Sequence, residues 1–541
     1  MAFCRSLIAE PEQQWRSAQL YDLGQGESDG CGAMGHRALP ERRRQVLQGV
    51  GGDAVVVQRL VLHGFGEGGM TDKFDGGCCK KVIMVQYRRF QLSRKTMKEK
   101  NIIDRPDSLA RLISSMGNGS VKIVTGLRRC GKSFLLDVIF RSYLKSHGVD
   151  DDHITAVALD RDEFESLQNP RNLSSFVKAR LKNDGRMNYV FIDEIQLSYK
   201  VRKSGVDEKD VAPEDRDSLW LTFYDVLNSL NAKSDVDVYV TGSNSKMLSA
   251  DVATNFRGRK TEIALMPLSF AEFHAFRGGD KADDWQEYMA FGGLPQVVLA
   301  PSDKEKYAVL DELFSRVYLK DVVERNKIAD VGMLGNVVKF LYSSVGSLTN
   351  PTRIAKAMRN QGIAAPSAPT VRKFLDCLSQ AYLFRKAERY DIRGKRYLDY
   401  PAKYYAEDVG VRNAQLGFRE QEETHLMENV IFNELLRRGY RVDVGVVEIE
   451  SKEKGKRELR QHEIDFVVNT GFGKIYIQSA YGIGDPRQMA RETLPLAHTG
   501  DVFRRLIVTN GNGRFWTDNA GISRVGLYPF LLDQSILEDM K

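Results

Sequence analysis

Along the first eighty residues, apolar side chains recur at neither helical nor strand spacing. One short apolar patch, Val55-Val56-Val57-Gln58-Arg59-Leu60-Val61-Leu62, stands alone there. Beyond Met97 the pattern becomes regular. Nearly continuous apolar runs at 121–125, 189–192 and 236–241 predict strands buried on both faces, as in a parallel sheet covered by helices. Helical spacing follows the first run at 134–140 and returns at 219–232, through most of 267–328 (including 307–323) and at 426–438. The charge-rich, aperiodic stretch 198–218 predicts a surface loop. Asn350-Pro351-Thr352 caps a helix at 353–359, a Gly/Pro turn at 361–369 leads to a second helix at 370–381, and 382–387 with 395–398 predict hairpin strands around Arg393-Gly394. Helix, turn, helix and hairpin together predict a winged helix. No window offers the roughly 18 consecutive apolar residues of a membrane span, so no membrane partner is expected.

Composition changes this picture in three places. At 541 residues, 42% hydrophobic and 28% charged, the chain has room for three or four domains and is no collagen, disulfide-stapled or wholly disordered chain. Fourteen of its 46 glycines fall in the first 80 residues. Residues 1–83 therefore read either as a disordered tail or as sequence upstream of a true start at Met84 or Met97, the second reading being preferred. The six cysteines show neither zinc spacing nor a disulfide framework, which points to a reducing, cytoplasmic compartment. The net charge of +7 equals that of residues 341–400 alone, which hold 11 Lys/Arg against 4 Asp/Glu.

The candidate chemistry begins where the first strand ends. Gly126-Leu127-Arg128-Arg129-Cys130-Gly131-Lys132-Ser133 is G-x-x-x-x-G-K-[ST] between a strand and the apolar helix opened by Phe134. Glycines let backbone N–H groups turn inward around phosphate oxygens, and the helix aims its positive end at the same charge. Lys132 is expected to reach the β- and γ-phosphates of ATP, and Ser133 to hold Mg²⁺. The second strand ends in Asp193 and Glu194, at the strand end where open α/β sheets bind ligands. Asp193 is expected to hold Mg²⁺ through water and Glu194 to orient and polarise the attacking water. The third strand ends in Gly242-Ser243-Asn244-Ser245, where Asn244, or next Ser243, is placed to sense the γ-phosphate. Arg257 or Arg259, in Asn255-Phe256-Arg257-Gly258-Arg259, is the candidate to stabilise transition-state charge, from the same or a neighbouring subunit of a homo-oligomer.

These motifs, with Pro267-Leu-Ser-Phe-Ala-Glu-Phe273 and Phe291-Gly-Gly-Leu-Pro295, resemble the AAA+-type ATPases of bacteria and archaea that carry a C-terminal DUF4143 domain, the AAA_14/DUF4143 architecture. The resemblance covers residues 97–541 and implies ATP binding and hydrolysis, a helical lid over the nucleotide, and a winged-helix-like segment. It places a Val317-Tyr-Leu-Lys-Asp321 run in the lid, to which we assign a packing role.

The basic module has two readings: DNA binding through residues 353–396, or interdomain and protein contacts alone. For DNA, Thr370, Arg372 and Lys373 would enter the major groove while Arg393, Lys395 and Arg396 touch phosphates. The last domain resembles a restriction-endonuclease core, with Glu428, Asp465 and Gln478 at the three metal-side positions. Gln478 replaces an acid and Ala480 stands where the water-activating lysine belongs, so the fold is expected without cleavage. Lys474 is the nearest candidate for a lysine that has migrated.

The expected fold is α/β: a P-loop NTPase parallel sheet with helical lid, winged helix and endonuclease-like C-terminal domain. The expected divisions are 1–83, 84–265 (ATPase), 266–335 (lid), 336–400 (winged helix) and 401–541 (DUF4143, nuclease-like). The expected function is Mg²⁺-dependent ATP hydrolysis driving domain rearrangement, with DNA or a protein as partner. The alternatives are an ATP-bound switch with little turnover, or an ATP-regulated nuclease.

Overall fold

The structure, a computed structural model, describes residues 21–22, 45–48, 54–57, 102–243, 256, 259–363, 366–419, 422–453, 456–482 and 486–538. Two units separate at Thr96/Met97. In the first, Tyr21–Asp22, Gln45–Gln48 and Ala54–Val57 form a small antiparallel sheet. Otherwise the expectation for residues 1–83 lies outside the described residues.

The second unit begins with helix α1 (Pro106–Ser114) and a five-stranded parallel sheet: β1 (Val121–Thr125), β2 (Ile154–Ala158), β3 (Asn188–Asp193), β4 (Val236–Gly242) and β5 (Lys260–Ala264). Their spatial order is 5-1-4-3-2, every pair parallel. Helices cover both faces, among them α2 (Lys132–Phe134 running on through Leu135–Phe140 and Arg141–Ser146), α3 (Pro170–Lys178) and α4 (Phe223–Asn231). The one charged residue in β4, Asp237, is paired inside the sheet with Lys122, and it accepts from the Gly117 N–H at 3.0 Å and the Tyr239 hydroxyl at 2.8 Å. That neutralises a buried charge that would otherwise be costly.

The segment expected as a helical lid is helical. It contains α5 (Phe270–Arg277), α6 (Lys281–Phe291), the single turn α7 (Pro295–Val298) and the long α8, whose segments Asp303–Glu312, Leu313–Tyr318 and Leu319–Asn326 run end to end. Ser269 and Glu272 form a reciprocal capping box that starts α5. Helices α9 (Val331–Ser343), α10 (Pro351–Asn360) and α11 (Ala368–Gln380) follow, the last two at the places the sequence predicts, with Asn350 and Ser367 as their caps.

The hairpin does not stand apart as a wing. Strands β6 (Phe384–Asp391) and β7 (Arg396–Ala406) pair antiparallel, and β6 also pairs in parallel with β8 (Arg441–Glu453). The hairpin is thus the edge of an eight-stranded mixed sheet whose other members are β9 (Lys456–Asn469), β10 (Lys474–Ala480), β11 (Arg504–Thr509), β12 (Trp516–Thr517) and β13 (Ile522–Gly526). Its order is 7-6-8-9-10-11-13-12. The boundary expected at residue 400 therefore falls inside β7. Helices α12 (Val409–Gln415) and α13 (Glu423–Arg437) precede β8, and α14 (Pro486–Ala497) packs on the opposite face of the sheet from α13. One apolar core runs unbroken from α2 and β1 through the lid to α13 and the inner face of the second sheet.

Candidate nucleotide site

β1 ends at Thr125 and the chain turns into the glycine-rich loop. Gly126 has φ +144°, and a Cβ there would lie 1.9 Å from the Leu265 carbonyl oxygen, so only glycine fits. Gly131, at φ +99°, sits in the left-handed region just before α2, and Arg129, at φ +69°, is held there without being glycine. Leu127 and Cys130 are buried. The Cys130 Sγ–H donates to the Leu265 carbonyl at 3.3 Å, and burial pushes its thiol pKa up. Its N–H is bonded within the loop to Leu127 at 3.3 Å, so Leu127 and Cys130 anchor the loop from beneath.

Above the loop lies a cavity of about 340 Å³. Arg128, Arg129, Gly131, Lys132, Ser133 and Phe134 line it from the loop, and Asp193 and Glu194 from the tip of β3. Asp160, beyond β2, also faces it, a contribution no local pattern announces. An apolar wall comes from Ile103, Leu268, Pro295 and Leu299, with Gln296 beside them. Arg105 underlies this wall. It is buried, donates to the Met266 carbonyl at 2.6 Å and pairs with Glu272 at 3.0 Å.

The charged groups are arranged around this space. The Lys132 ammonium donates to the carbonyls of Gly126 and Leu127, both at 3.1 Å. These neutral acceptors bind an ammonium more weakly than a phosphate does. Asp193 accepts from Thr241 of β4 and interacts with the Ser133 hydroxyl. Burial raises its pKa and these two hydrogen bonds oppose the rise. Ser133 and Asp193, expected from sequence as the Mg²⁺ pair, are thus side by side. Glu194 adopts φ +50°, a conformation few non-glycine residues hold, and its N–H donates to Thr241 Oγ1 at 3.0 Å. Its carboxylate meets the Gln196 amide and the Ser243 hydroxyl, the latter at 3.3 Å. Thr241 thereby fixes both acids from the neighbouring strand, a role the sequence does not reveal.

Ser243 is buried at the tip of β4 beside Glu194, as its strand-end position predicts. Asn244 and Arg257 lie outside the described residues. Arg259 is exposed at the start of β5, where its carbonyl accepts from Val121 N–H at 3.1 Å. That is the sheet edge opposite the loop, about 17 Å away along a five-residue strand. Arg259 does not face the cavity of its own chain.

A second cluster of charge sits in the C-terminal sheet. Glu428 on α13 and Asp465 on β9 come together as expected, joined by Glu463. Ala480 keeps its place on β10, and a lysine that the sequence reading did not single out joins the acids. Lys403, from the middle of β7, reaches Glu428 at 2.8 Å, Glu463 at 2.5 Å and Asp465 at 3.5 Å. Lys474 is no part of it: its ammonium lies at the far end of β10, over the Tyr390 ring and 2.7 Å from that hydroxyl. Gln478 accepts from the Asp465 N–H at 3.3 Å and donates to Glu492 at 2.7 Å. Burial drives the Lys403 pKa down, but Glu428, Tyr405, Asp465 and Glu463 outweigh it and hold the ammonium well above its ordinary value. Burial, then repulsion from Glu428, lifts Asp465 well above the carboxylate range. Among the described residues, no group of three or more His, Cys, Asp or Glu side chains is arranged to hold a metal ion.

The profile of an AAA domain, AAA_14, matches residues 118–274, and that of a domain of unknown function, DUF8612, matches residues 282–422. The second match replaces the DUF4143 domain expected from sequence and covers the lid after α5, α9–α12 and the β6–β7 hairpin. An uncharacterized protein of Haemophilus influenzae is 31% identical over 440 residues, 80% of this chain and 99% of its own length. An uncharacterized protein of Methanocaldococcus jannaschii is 27% identical over 384 residues, 68% of this chain and 75% of its own. Among solved structures, a Walker-type ATPase of Pyrococcus abyssi overlaps at 15% identity and a TM-score of 0.38, covering 58% of this chain and 96% of that one. The ORC1 protein of Aeropyrum pernix, solved in complex with DNA, overlaps at 12% identity and a TM-score of 0.22, covering 58% and 93%. Overlaps at that level carry no functional weight.

Proposed function

This chain belongs to the family of its Haemophilus influenzae relative, with an AAA domain at its core, and from that premise we propose that it binds Mg²⁺·ATP in the 340 Å³ cavity and hydrolyses it. The single observation that carries this is the convergence of Lys132, Ser133, Asp193 and Glu194 on one open space at the loop's mouth. The residues fit the ligand. Lys132 is bonded only to neutral carbonyls that a phosphate displaces. Ser133 and Asp193 would hold Mg²⁺, which on binding neutralises phosphate charge. Glu194, fixed by Thr241 and Ser243, would take the proton from the attacking water. The apolar wall of Ile103, Leu268, Pro295 and Leu299 would take the base. Arg259 lies at the end of the sheet away from the loop, so Arg259 itself could act on the γ-phosphate only from a neighbouring subunit.

The partner reading favours DNA through 353–396. Arg353, Lys356 and Arg359 of α10, Arg372 and Lys373 of α11, and Arg393, Lys395 and Arg396 at the hairpin turn are all solvent-exposed. Arg385 is withdrawn from that set, paired with Glu407 at 2.6 Å. Affinity for duplex DNA that falls steeply with salt supports this; no binding at low salt counts against it. We assign the C-terminal sheet a binding role without cleavage, because its carboxylates are already committed to Lys403. Divalent-dependent nicking of plasmid DNA, lost in Asp465→Ala, would overturn that. No helix among the described residues is long and apolar enough to cross a membrane, and we place the protein in the cytoplasm.

The deciding assay is phosphate release by the full chain with Mg²⁺·ATP, beside Lys132→Ala. Turnover abolished by the substitution supports the ATPase. Nucleotide binding with no phosphate released makes the chain a switch.

A further inference from the structure

Helix α8 presents three polar side chains on one face, Tyr318, Asp321 and Arg325, at the spacing i, i+3, i+7 that stacks residues along a helix. The packing role expected for residues 317–321 covers Val317, Leu319 and the ring of Tyr318, which is buried in the core. It does not account for the Tyr318 hydroxyl, Asp321 or Arg325. Tyr318 donates its hydroxyl to the Arg128 carbonyl of the glycine-rich loop at 3.2 Å. Asp321, largely shielded from solvent, takes Arg128 at 3.4 Å on one side and Arg325 at 2.9 Å on the other. Arg325 then crosses to β4, where it donates to the Ser243 hydroxyl at 2.9 Å and the Ser243 carbonyl at 3.3 Å. That same hydroxyl lies 3.3 Å from the Glu194 carboxylate.

One helix of the lid is therefore tied to both jaws of the site, the phosphate loop through Asp321 and the β4 tip through Arg325. An exposed i,i+4 ion pair on a helix stabilises little and needs no third partner. Arg325 is turned inward and spends its fork on a buried serine, which a surface pair does not require.

We propose that Arg325, oriented by Asp321, is a positioning residue for ATP hydrolysis: it sets Ser243, and through Ser243 the Glu194 carboxylate, so that the chemical step depends on the lid being docked. This rests on the ATPase reading. Nucleotide is gripped by the loop and the apolar wall, neither of which Arg325 touches, so binding and turnover are separable.

The test uses the full chain, with ATP affinity measured by displacement of a fluorescent nucleotide in Mg²⁺, steady-state turnover, and thermal unfolding. Arg325→Ala is expected to keep ATP affinity within about threefold while kcat falls at least about tenfold, KM staying near the wild-type value. Arg325→Lys, which keeps the charge but loses the fork, is expected to recover part of kcat. Asp321→Asn is expected to lower kcat in the same direction. Unchanged kcat in Arg325→Ala overturns the inference. So does a joint loss of affinity, turnover and unfolding temperature, which marks a purely structural arginine. A wild-type chain that binds ATP without releasing phosphate fails at a different point: it removes the ATPase reading itself, and the inference with it.

Discussion

The two acidic sites of this molecule are built alike and left in opposite states. Each gathers carboxylates at the end or middle of a sheet beside a lysine. At the β3 tip, Asp193 and Glu194 face open space, and the nearby Lys132 is bonded to carbonyls of its own loop. In the C-terminal sheet, Glu428, Glu463 and Asp465 enclose Lys403, whose side chain is 3% exposed. The first site leaves its charge balance to be completed by whatever enters. The second is already partly neutralised by a lysine of the same chain. Carboxylates at a strand end are thus chemistry in waiting only while their counter-charge is missing.

Four substitutions put this contrast to the test. The largest effect is expected at the open site. Glu194→Gln removes the base while keeping the shape, and should lower ATP turnover by about 10²–10⁴-fold, with nucleotide binding retained. A variant with normal turnover would deny Glu194 that role. Next comes the closed site. Lys403→Met leaves the buried Glu428 and Asp465, with the partly exposed Glu463, without their cation and should destabilise the fold by about 3–5 kcal/mol, read from the denaturant midpoint at pH 7. Lowering the pH should narrow that gap, because the orphaned acids can then take up protons.

A third, somewhat smaller effect concerns Asp408, between the two sites. Burial lifts its pKa to about 6, against hydrogen bonds from the Gly293, Val411 and Gly410 N–H groups. The folded state therefore holds this proton more tightly than the unfolded chain, whose aspartates titrate near 3.9. Its contribution to stability falls as pH rises from about 4 through about 6 and is flat above, a swing of about 3 kcal/mol. Asp408→Asn should flatten the stability profile in that window, measured against wild type at pH 4.5 and pH 7. The smallest effect is expected at Lys474→Ala. This side chain touches only the Tyr390 ring and hydroxyl among its described contacts, so a loss of about 1 kcal/mol or less and unaltered turnover should follow.

Legibility in the sequence follows the same division. The open site was readable because its parts are contiguous: eight loop residues, then Asp193-Glu194 closing an apolar run. Three strands of the parallel sheet, β1, β3 and β4, were readable as apolar runs that need cover on both faces, and the lid from helical spacing; β2, β5 and the 5-1-4-3-2 order were not. The closed site was readable only in part, since Glu428, Asp465 and Gln478 lie on predicted elements but Lys403 arrives from a strand whose partners are distant in the chain. Lys474 looked close because it shares β10 with Gln478. Alternation puts the two on one face, yet four residues of strand separate them by about 13 Å. The hairpin was readable and its destination was not, because the local pattern of β6 says nothing of its pairing with β8. Tyr318, Asp321 and Arg325 were hidden for a related reason: on a helix, a polar stripe that touches another element reads the same as one that touches water.

The junction around Asp408 has a consequence for how such a chain is inherited. Its carboxylate accepts the Gly293 N–H at 2.8 Å, a Cβ on Gly292 would lie 2.2 Å from it, and a Cβ on Gly410 would lie 1.9 Å from the Phe291 carbonyl. A seam with no room for a methyl group tolerates little change on either side. Gly292, Gly293, Asp408 and Gly410 all fall within the one stretch, 282–422, that matches DUF8612. Its two sides are therefore expected to change together and to pass on as one piece.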